Sequence, residues 1–232
     1  MFLAESDMSY AVIGNTRRKC LHISTKWIER NISLIVPGDI TTALYHTEFD
    51  MGKAADHIRR DHEYISQRLN ILQHIFMKSE STVIINKKDL SECVRFHAVF
   101  NGMCHNGKEE VILFRSLEGK GLDINNGELG KLAAGHRISS KFIKALQDSL
   151  SDNPYDLLSP EFITGAVGYI QHVESHIKNE NAILLPIIDH VLSHSEQEMI
   201  CELFNTYENH IMEKLNNKDI TANIDYLMRK YS

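Results

Sequence analysis

Apolar residues recur along most of this chain at intervals of three and four residues, the period expected for one face of an α-helix. The first such stripe begins near Met51 and is predicted to end near Lys78. It has a single polar member, and its residues are Ile58, His62, Ile65, Leu69, Leu72 and Phe76. The pattern therefore predicts a long amphipathic helix with one histidine on its buried face.

Three more stripes predict three further long helices, and each has polar residues among its apolar members. The second helix is predicted to bury Val94, Ala98, His105, Glu109, Leu113 and Leu117. The third is predicted to bury Leu129, Leu132, His136, Ile143, Leu146 and Leu150. The fourth is predicted to bury Phe162, Ala166, Tyr169, Val173, His176, Glu180, Leu184 and Ile187. Four such helices are typical of a four-helix bundle.

Side chains that cap helices mark where these helices are expected to start. Asp89, with Glu92 three residues later, predicts the start of the second helix. Ser159 predicts the start of the fourth, because it is followed by Pro160 and proline is favoured at the first helical position. Pro186 has no backbone N–H, so it is expected to bend or end the fourth helix.

Two shorter helices are predicted after the bundle. The segment Ser195–Glu198 has the form of a capping box and predicts a fifth helix that ends at about Leu215. A last helix is predicted to bury Ile220, Ile224, Leu227 and Met228. The sequence therefore predicts an all-α fold, with a bundle domain over residues 51–232 that includes C-terminal helices over residues 195–232.

The first fifty residues are an N-terminal extension to which the pattern assigns no fold. Short helices are predicted at Ser24–Ile35 and at Asp39–His46. The extension can either cover the mouth of the bundle or mediate a homodimer. Farther along, the β-branched run Thr82–Ile85 is compatible with a strand, although no nearby segment is a convincing partner for it.

Composition narrows the class of protein. Hydrophobic residues make up 43% of the 232 residues, which supports a full core, and only four prolines interrupt the chain. The net charge of −6, with both signs intermixed, argues against a nucleic-acid partner, which would favour a basic face. The sequence has no secretory signal pattern and no run of eighteen apolar residues. We therefore expect a cytoplasmic protein with no membrane partner and with its four cysteines reduced.

The polar residues of the four stripes form a repeated pattern. His105 and Glu109 are four residues apart, as are His176 and Glu180, so each pair shares one helix face. Each pair follows a helix with a single inward histidine, with 43 residues from His62 to His105 and 40 from His136 to His176. This weak repeat indicates a pseudo-twofold bundle whose polar side chains face a common interior.

Four imidazoles and two carboxylates on four helices are the donors of a dinuclear metal site. A single histidine in a stripe has an alternative role as a hydrogen-bonded core residue, and a single His-x-x-x-Glu pair has one as an exposed polar pair. Glutamate is almost never buried without a partner, however, so two pairs in register favour metal ligation. The donors suit iron, with manganese and zinc ranked below it. The predicted ligands are His62, His105, Glu109, His136, His176 and Glu180.

Several neighbours of the predicted ligands are assigned other roles. His172 and Tyr169 precede His176 by four and seven residues and share its face, so they either support the ligands or line the bundle. Cys104 is interpreted as a buried structural thiol. Glu110 is expected to point away from the interior into solvent.

At these residues the chain resembles the hemerythrin-like, HHE cation-binding family. The resemblance covers about residues 51–232 and is carried by Cys104–Phe114, by Gly135 with His136, and by His176–Pro186. It implies a four-helix bundle around a non-haem centre of two iron ions, which can share an oxo bridge. By motif position, it implies that the same six residues are the iron ligands.

The ligand pattern departs from that of oxygen-carrying hemerythrins. Those proteins have His-x-x-x-His on the third helix, whereas here the residue four positions after His136 is Ser140. Their last helix has an Asp five residues after its His, whereas Glu180 follows His176 by four. Four histidines and two glutamates are closer to the repair-of-iron-centres proteins, but the paired-cysteine motif of those proteins is absent from an extension whose only cysteine is Cys20.

Three functions are compatible with such a site. The leading hypothesis is a di-iron protein that binds or reduces a small ligand: oxygen, peroxide or nitric oxide. The second is an iron donor for the repair of damaged iron–sulfur clusters. The third, from another class, is a sensor of oxygen, nitric oxide or redox state, in which ligand binding shifts the bundle.

Overall fold

A computed structural model describes residues 53–79, 86–152, 159–214 and 219–231. These ranges belong to one unit, Met51–Ser232. The helices predicted in the first fifty residues and the strand predicted at Thr82–Ile85 lie outside the described residues.

The described chain is helical and contains no strand within those ranges, so the predicted all-α bundle with additional C-terminal helices is confirmed. Its α-helices are α1 (Lys53–Ser79), α2 (Lys87–Phe96), α3 (Phe114–Gly119), α4 (Gly127–Asp152), α5 (Pro160–Val191), α6 (His194–Lys214) and α7 (Ile220–Tyr231). Helix α5 packs against α1 and α4, while α6 packs on α1 and α7 packs on α1 and α2. No described helix combines the length and apolar character needed to span a membrane.

The second long helix of the bundle is the continuous run from α2 to α3, and its middle is π-helical. The two π-helical segments are His97–Asn106 and Glu109–Leu113. A π-helix is rare and usually marks a functional site, because the wider turn changes the direction of its side chains. Here His105 lies one residue before the end of the first segment and Glu109 opens the second, so the predicted pair lies where the helix departs from α geometry.

The cap predicted for the second helix is wrong by one turn. Asn86 has extended backbone angles, and its side chain accepts hydrogen bonds from the backbone N–H groups of Lys88 and Asp89. An N-cap must have non-helical angles, and Asp89 already lies within the first turn of α2. The prediction at the start of α5 is confirmed, because Ser159 Oγ accepts from Phe162 N at 3.1 Å.

The capping box of α6 is also displaced from its predicted position. Ser193, rather than Ser195, exchanges hydrogen bonds with Glu196, which accepts from both the N–H and the hydroxyl of Ser193 and donates its own N–H to the Ser193 hydroxyl. Both serines have a glutamate three residues later. The position at which α5 ends, at Val191, decides which serine is available as the cap.

Pro186 does not end α5, which continues to Val191. Proline removes one backbone hydrogen bond from a helix and disfavours its interior. The flanking residues Leu184, Leu185 and Ile188 are almost fully buried in the core. Burial of such side chains contributes about 1.5–3 kcal/mol each, which outweighs the missing bond.

The core consists of two apolar clusters. The Tyr169 cluster includes Ile65, Leu72, Phe96, Ile143, Tyr169 and Val173, and α7 packs onto it through Ile220, Ile224 and Leu227. The Leu184 cluster includes Ile58, Leu113, Leu132, Leu184, Ile188 and Phe204. Each long helix contributes to both clusters, with its inward polar residue between the two contributions. A polar layer therefore lies within the bundle between two apolar ones.

Candidate metal centre

All six predicted ligands face the bundle interior in this polar layer. None is more than 7% exposed, and both glutamates are fully buried. The repeat seen in the sequence corresponds to this arrangement, because each His-x-x-x-Glu helix and the helix before it supply neighbouring imidazoles. The six residues form two groups with potential metal-ligand atoms, and Glu180 belongs to both groups.

The first group contains His62, His105, Glu109 and Glu180, whose ligand atoms lie within 4.8 Å of one another. His62 Nε2 is 3.1 Å from Glu180 Oε2. His105 Nε2 is 3.9 Å from Glu109 Oε1 and 4.0 Å from Glu180 Oε2. Two imidazoles and two carboxylates therefore surround one small space.

The second group contains His136, His176 and Glu180. Glu180 Oε1 is 2.8 Å from His176 Nε2 and 3.3 Å from His136 Nε2. Glu109 also reaches this side, since its Oε2 is 3.1 Å from His136 Nε2. Each glutamate thus directs one oxygen to each group, as a carboxylate that bridges two cations would.

Many of these inward atoms are buried without an aligned hydrogen-bond partner in the described part of the chain. They are His62 Nε2, His105 Nε2, both carboxylate oxygens of Glu109, His176 Nε2 and Glu180 Oε2. Buried polar atoms in proteins are almost always paired, because an unpaired one costs about 1–3 kcal/mol. Orphaned atoms that converge from three helices fit metal ligation, and imidazole and carboxylate donors suit iron, manganese or zinc.

Three of the four imidazoles are held from behind at Nδ1. His105 Nδ1 is 3.2 Å from Asp61 Oδ2, and His136 Nδ1 is 2.9 Å from Glu110 Oε1. His62 Nδ1 is 2.8 Å from Asn181 Oδ1. An acceptor at Nδ1 fixes the proton there, so the lone pair of Nε2 points inward, as metal-binding histidines require.

The sequence did not identify these three supporting residues, and Glu110, expected to point into solvent, also contacts His136. Each adjoins a predicted ligand in sequence but supports a histidine of a different helix. Asp61 of α1 contacts His105 of the second long helix. Glu110 of that helix contacts His136 of α4. Asn181 of α5 contacts His62 of α1. The sequence signal for such a residue is its position directly next to a predicted ligand. That position does not show which neighbouring helix its side chain contacts.

Gly135 makes room for the fourth imidazole. A Cβ atom at this position would lie 2.6 Å from His176 Nδ1 and 2.8 Å from Cε1, closer than side-chain carbons approach in proteins. The glycine before His136 is therefore required by the close approach of α4 to the ring of His176. His172 occupies the same seam, where its Nε2 lies 3.0 Å from Gly135 O and its ring stacks on His176 at 5.9 Å.

The other residues singled out in the sequence are buried away from the two groups. Tyr169 accepts a hydrogen bond at 2.9 Å from Asn101 and belongs to the apolar cluster named after it, so its described contacts are those of a core residue. Cys104 is fully buried, and burial raises the pKa of its thiol to about 12. A thiol with that pKa stays protonated and is a poor metal ligand.

Electrostatics at the centre favour cations. Burial alone raises the pKa of Glu180, but the surrounding imidazoles of His136, His176 and His62 outweigh burial and hold that pKa well below its ordinary value. Burial lowers the pKa of His136, and the carboxylates of Glu109, Glu110 and Glu180 raise it well above its ordinary value. The carboxylate of Glu180 therefore remains ionised and attracts positive charge to the space between the helices.

A third cluster lies beside the first group and consists of His57, Asp61 and Glu208. Its centre already holds a cation, because the ammonium of the fully buried Lys108 reaches all three residues. Burial lowers the pKa of Lys108, but Asp61 and Glu208 outweigh burial and raise it, so the side chain stays charged. We therefore do not assign a metal to this third cluster.

A helical bundle with paired interior His/Glu groups defines a metal-binding bundle protein. Comparison with protein families agrees, since residues 53–188 match the hemerythrin HHE cation binding domain. The match covers more than half of the chain, and the protein belongs to this family of cation-binding proteins. No curated protein and no solved structure matches the chain.

Proposed function

We propose that this protein holds two iron ions in a non-haem centre and binds or reduces a small ligand there: oxygen, peroxide or nitric oxide. The proposed iron ligands are His62, His105, Glu109, His136, His176 and Glu180. The observation that carries the proposal is that both glutamates direct one oxygen to each pair of imidazoles.

The donor set supports iron and an open position. Two imidazoles and two carboxylate oxygens supply four donors to each metal, and bundle sites of this kind commonly hold di-iron carboxylate centres. Non-haem iron sites with few protein ligands keep positions for exogenous molecules. When bound, the two irons would supply electrons and such an open position. Six ligands with two negative charges leave a divalent pair positively charged, which favours anionic or electron-rich ligands.

The chain itself fixes the orientation of the imidazoles and excludes water from the polar layer. The two apolar clusters enclose the polar layer, and the ring of Phe114 stacks on that of His136 at 5.9 Å. Asp61, Glu110 and Asn181 hold three imidazoles in a single tautomer. Ligands held in this way need little rearrangement when a small molecule binds, which lowers the reorganisation required for its reduction.

One contrast favours iron donation as a second candidate function. Asp61, behind His105, is 11% exposed and is also bound to Lys108, whereas Glu110, behind His136, is 48% exposed. In the second group, His136 is therefore supported by a residue that water reaches. Such a difference would let one iron leave more easily than the other, as a donor to damaged iron–sulfur clusters requires.

The test is the visible spectrum of anaerobically iron-loaded protein, recorded before and after oxygen, peroxide or nitric oxide is added to separate samples. Zinc-loaded protein is the control, because zinc has no redox chemistry. We expect new absorption bands with the iron protein alone. Bands that reverse on deoxygenation would support oxygen binding, and turnover of nitric oxide or peroxide would support reduction. Loss of one iron to an added chelator without any ligand-dependent bands would support iron donation instead.

A further inference from the structure

Lys108 is the most unusual charged residue outside the six proposed ligands. Its side chain is fully buried, and an ammonium has three N–H donors. The structure offers three acceptors: Asp61 Oδ2 at 2.6 Å, Glu208 Oε2 at 2.9 Å and His57 Nε2 at 3.1 Å. All three donors can therefore be satisfied, so the charge is held at one place.

The acceptor atom on Asp61 connects this ammonium to the metal centre. Asp61 Oδ2 lies 2.6 Å from Lys108 Nζ and 3.2 Å from His105 Nδ1, so one oxygen serves both groups. Glu208 extends the series outward to α6. That helix begins at His194, beyond the part of the chain that matches the family, which ends at residue 188. A helix outside the matched domain thus reaches a proposed ligand through a series of ions.

We propose that Lys108 and Glu208 are positioning residues whose fixed charges set the metal affinity and the reduction potential at the His105 side of the centre. The inference rests on the proposed function as far as iron is concerned, while the affinity for other divalent metals is independent of it. Neither residue is proposed to touch the metal or its ligand.

The two charges are expected to act in opposite directions. A carboxylate behind a ligand histidine makes its Nε2 a stronger donor, and Lys108 moderates this by sharing the same oxygen. Removal of the ammonium leaves more negative charge behind His105, which favours cation binding and the oxidised metal. Removal of the Glu208 carboxylate leaves less negative charge, which disfavours cation binding and favours the reduced metal.

The centre should consequently have two unequal positions. The residue behind His136 is Glu110, which is 48% exposed, so water screens its charge. Behind His105, Lys108 and Asp61 are buried and Glu208 is 28% exposed, so water screens these charges less. Substitution of Lys108 or Glu208 should therefore change the affinity for the metal on the His105 side and leave the other metal unaffected.

The first measurement is a titration of metal-free protein with Co²⁺, followed by visible absorption, for wild type, Lys108→Met and Glu208→Gln. We expect two sites, of which one tightens by about tenfold in Lys108→Met and weakens by about tenfold in Glu208→Gln. Lys53→Met and Glu198→Gln are matched controls, because they remove an exposed ion pair that also joins α1 to α6. The controls should leave both sites unchanged.

The second measurement is potentiometry of the iron-loaded proteins. A tenfold change in relative affinity for two oxidation states corresponds to about 59 mV for one electron. We expect a lower midpoint potential for Lys108→Met and a higher one for Glu208→Gln. If Lys108→Met fails to fold, Glu208→Gln still tests the sign, because Gln keeps an acceptor for Lys108.

The outcomes separate this inference from the proposed function. Shifts of the same sign in both variants, or no shift, would overturn the inference and leave Lys108 as a structural ion. The two variants could shift the Co²⁺ affinity in opposite directions while the iron-loaded protein reacts with neither oxygen, peroxide nor nitric oxide. That result would support the inference and contradict the proposed function. A wild-type protein without Co²⁺ binding would overturn both.

Discussion

At the scale of single residues, the candidate metal centre depends on the distances between its ligand atoms. Four imidazoles converge on one carboxylate, Glu180, at distances of 2.8–4.0 Å between Nε2 and the nearer carboxylate oxygen. Residues that set these distances without offering a ligand atom are the most informative to change, because the donor set stays intact.

Gly135→Ala should weaken metal binding at the His136/His176 group. The added methyl group would lie 2.6 Å from His176 Nδ1, so the ring or α4 must move. We expect the number of Co²⁺ ions bound per chain to fall by about one, as measured by visible titration. Gly165→Ala is the matched control, since its Cβ meets only Leu146 Cδ2 at 3.5 Å. Equal metal binding in both variants would contradict the role assigned to Gly135.

Glu110→Gln should reduce the affinity of the same group for a divalent metal by about 10- to 100-fold, the usual effect of losing a carboxylate behind a ligand histidine. The amide can still accept a hydrogen bond from Nδ1 but no longer carries charge. Competition with a chelator of known affinity measures the change. Glu118→Gln, on the exposed end of the same long helix, should match wild type, and an equal loss there would point to a general charge effect.

The sequence was sufficient to predict the six inward residues, because each lies in an apolar stripe whose period is fixed by the helix. It did not reveal Asp61, Glu110, Asn181 or Lys108 as supporting residues. Their roles depend on which helices are neighbours and on the rotation of each helix, and neither is encoded in the period of a single stripe. Gly135 precedes His136 in a family motif, but the ring that requires a glycine there belongs to His176 of another helix.

At the scale of elements, α7 is fixed to the bundle by polar contacts at its end. Asp89, buried in the first turn of α2, accepts hydrogen bonds from Lys230 and, at 2.7 Å, from the hydroxyl of Tyr231. Arg68 of α1 pairs with Asp225 at 2.7 Å. Helix α7 thereby packs on the Tyr169 cluster and stabilises the bundle. Its described contacts do not include the six proposed ligands.

Asp89→Asn should destabilise the protein by about 1–3 kcal/mol, because a buried charged acceptor of two hydrogen bonds is lost. Urea denaturation measures this change, and metal content should stay at the wild-type value. Asp148→Asn is the control, since it removes an exposed pair with Lys144 and should change stability by less than about 1 kcal/mol. Loss of metal in Asp89→Asn would show that α7 acts on the centre after all.

The capping box of α6 predicts a pH dependence. Hydrogen bonds and charge from Lys120, with hydrogen bonds from Ser193, lower the pKa of Glu196 from 4.5 to about 2. A lowered pKa means that the ionised form stabilises the fold above about pH 4.5, and that this contribution is lost as the pH falls toward 2.

Glu196→Gln should therefore lower the melting temperature of metal-free protein at pH 7, and the difference from wild type should shrink below about pH 4.5. Differential scanning calorimetry at several pH values measures this. Glu161→Gln, in the first turn of α5, controls for the general effect of removing one carboxylate from the start of a helix. A constant difference for Glu196→Gln down to pH 3 would contradict the assigned capping box.

Helix boundaries were harder to predict than helices. The apolar stripes predicted each long helix, but two of the three predicted N-caps were wrong. Asn86 caps its helix instead of Asp89, and Ser193 instead of Ser195. Which candidate caps a helix depends on where the chain leaves the preceding element. The π-helical segments were not predicted, since an apolar stripe with period 3.6 tolerates a local change of pitch.

At the scale of the whole molecule, the fold alternates apolar, polar and apolar layers along the bundle axis. The apolar layers account for stability, and the polar layer would be a net cost unless its buried atoms acquire a partner. Two buried glutamates and four imidazoles are kept in this layer at the expense of a fully apolar core. The proposed pair of cations would satisfy all of them together.

The most direct test of this account is the number of Fe²⁺ ions bound per chain under anaerobic conditions, for wild type, Glu180→Gln and the exposed control Glu174→Gln. Glu180 faces all four imidazoles, so its loss should affect both metals. We predict about two irons per chain for wild type and the control, and fewer than one for Glu180→Gln. A folded wild type that binds no iron, or a Glu180→Gln variant that keeps both ions, would contradict the dinuclear centre.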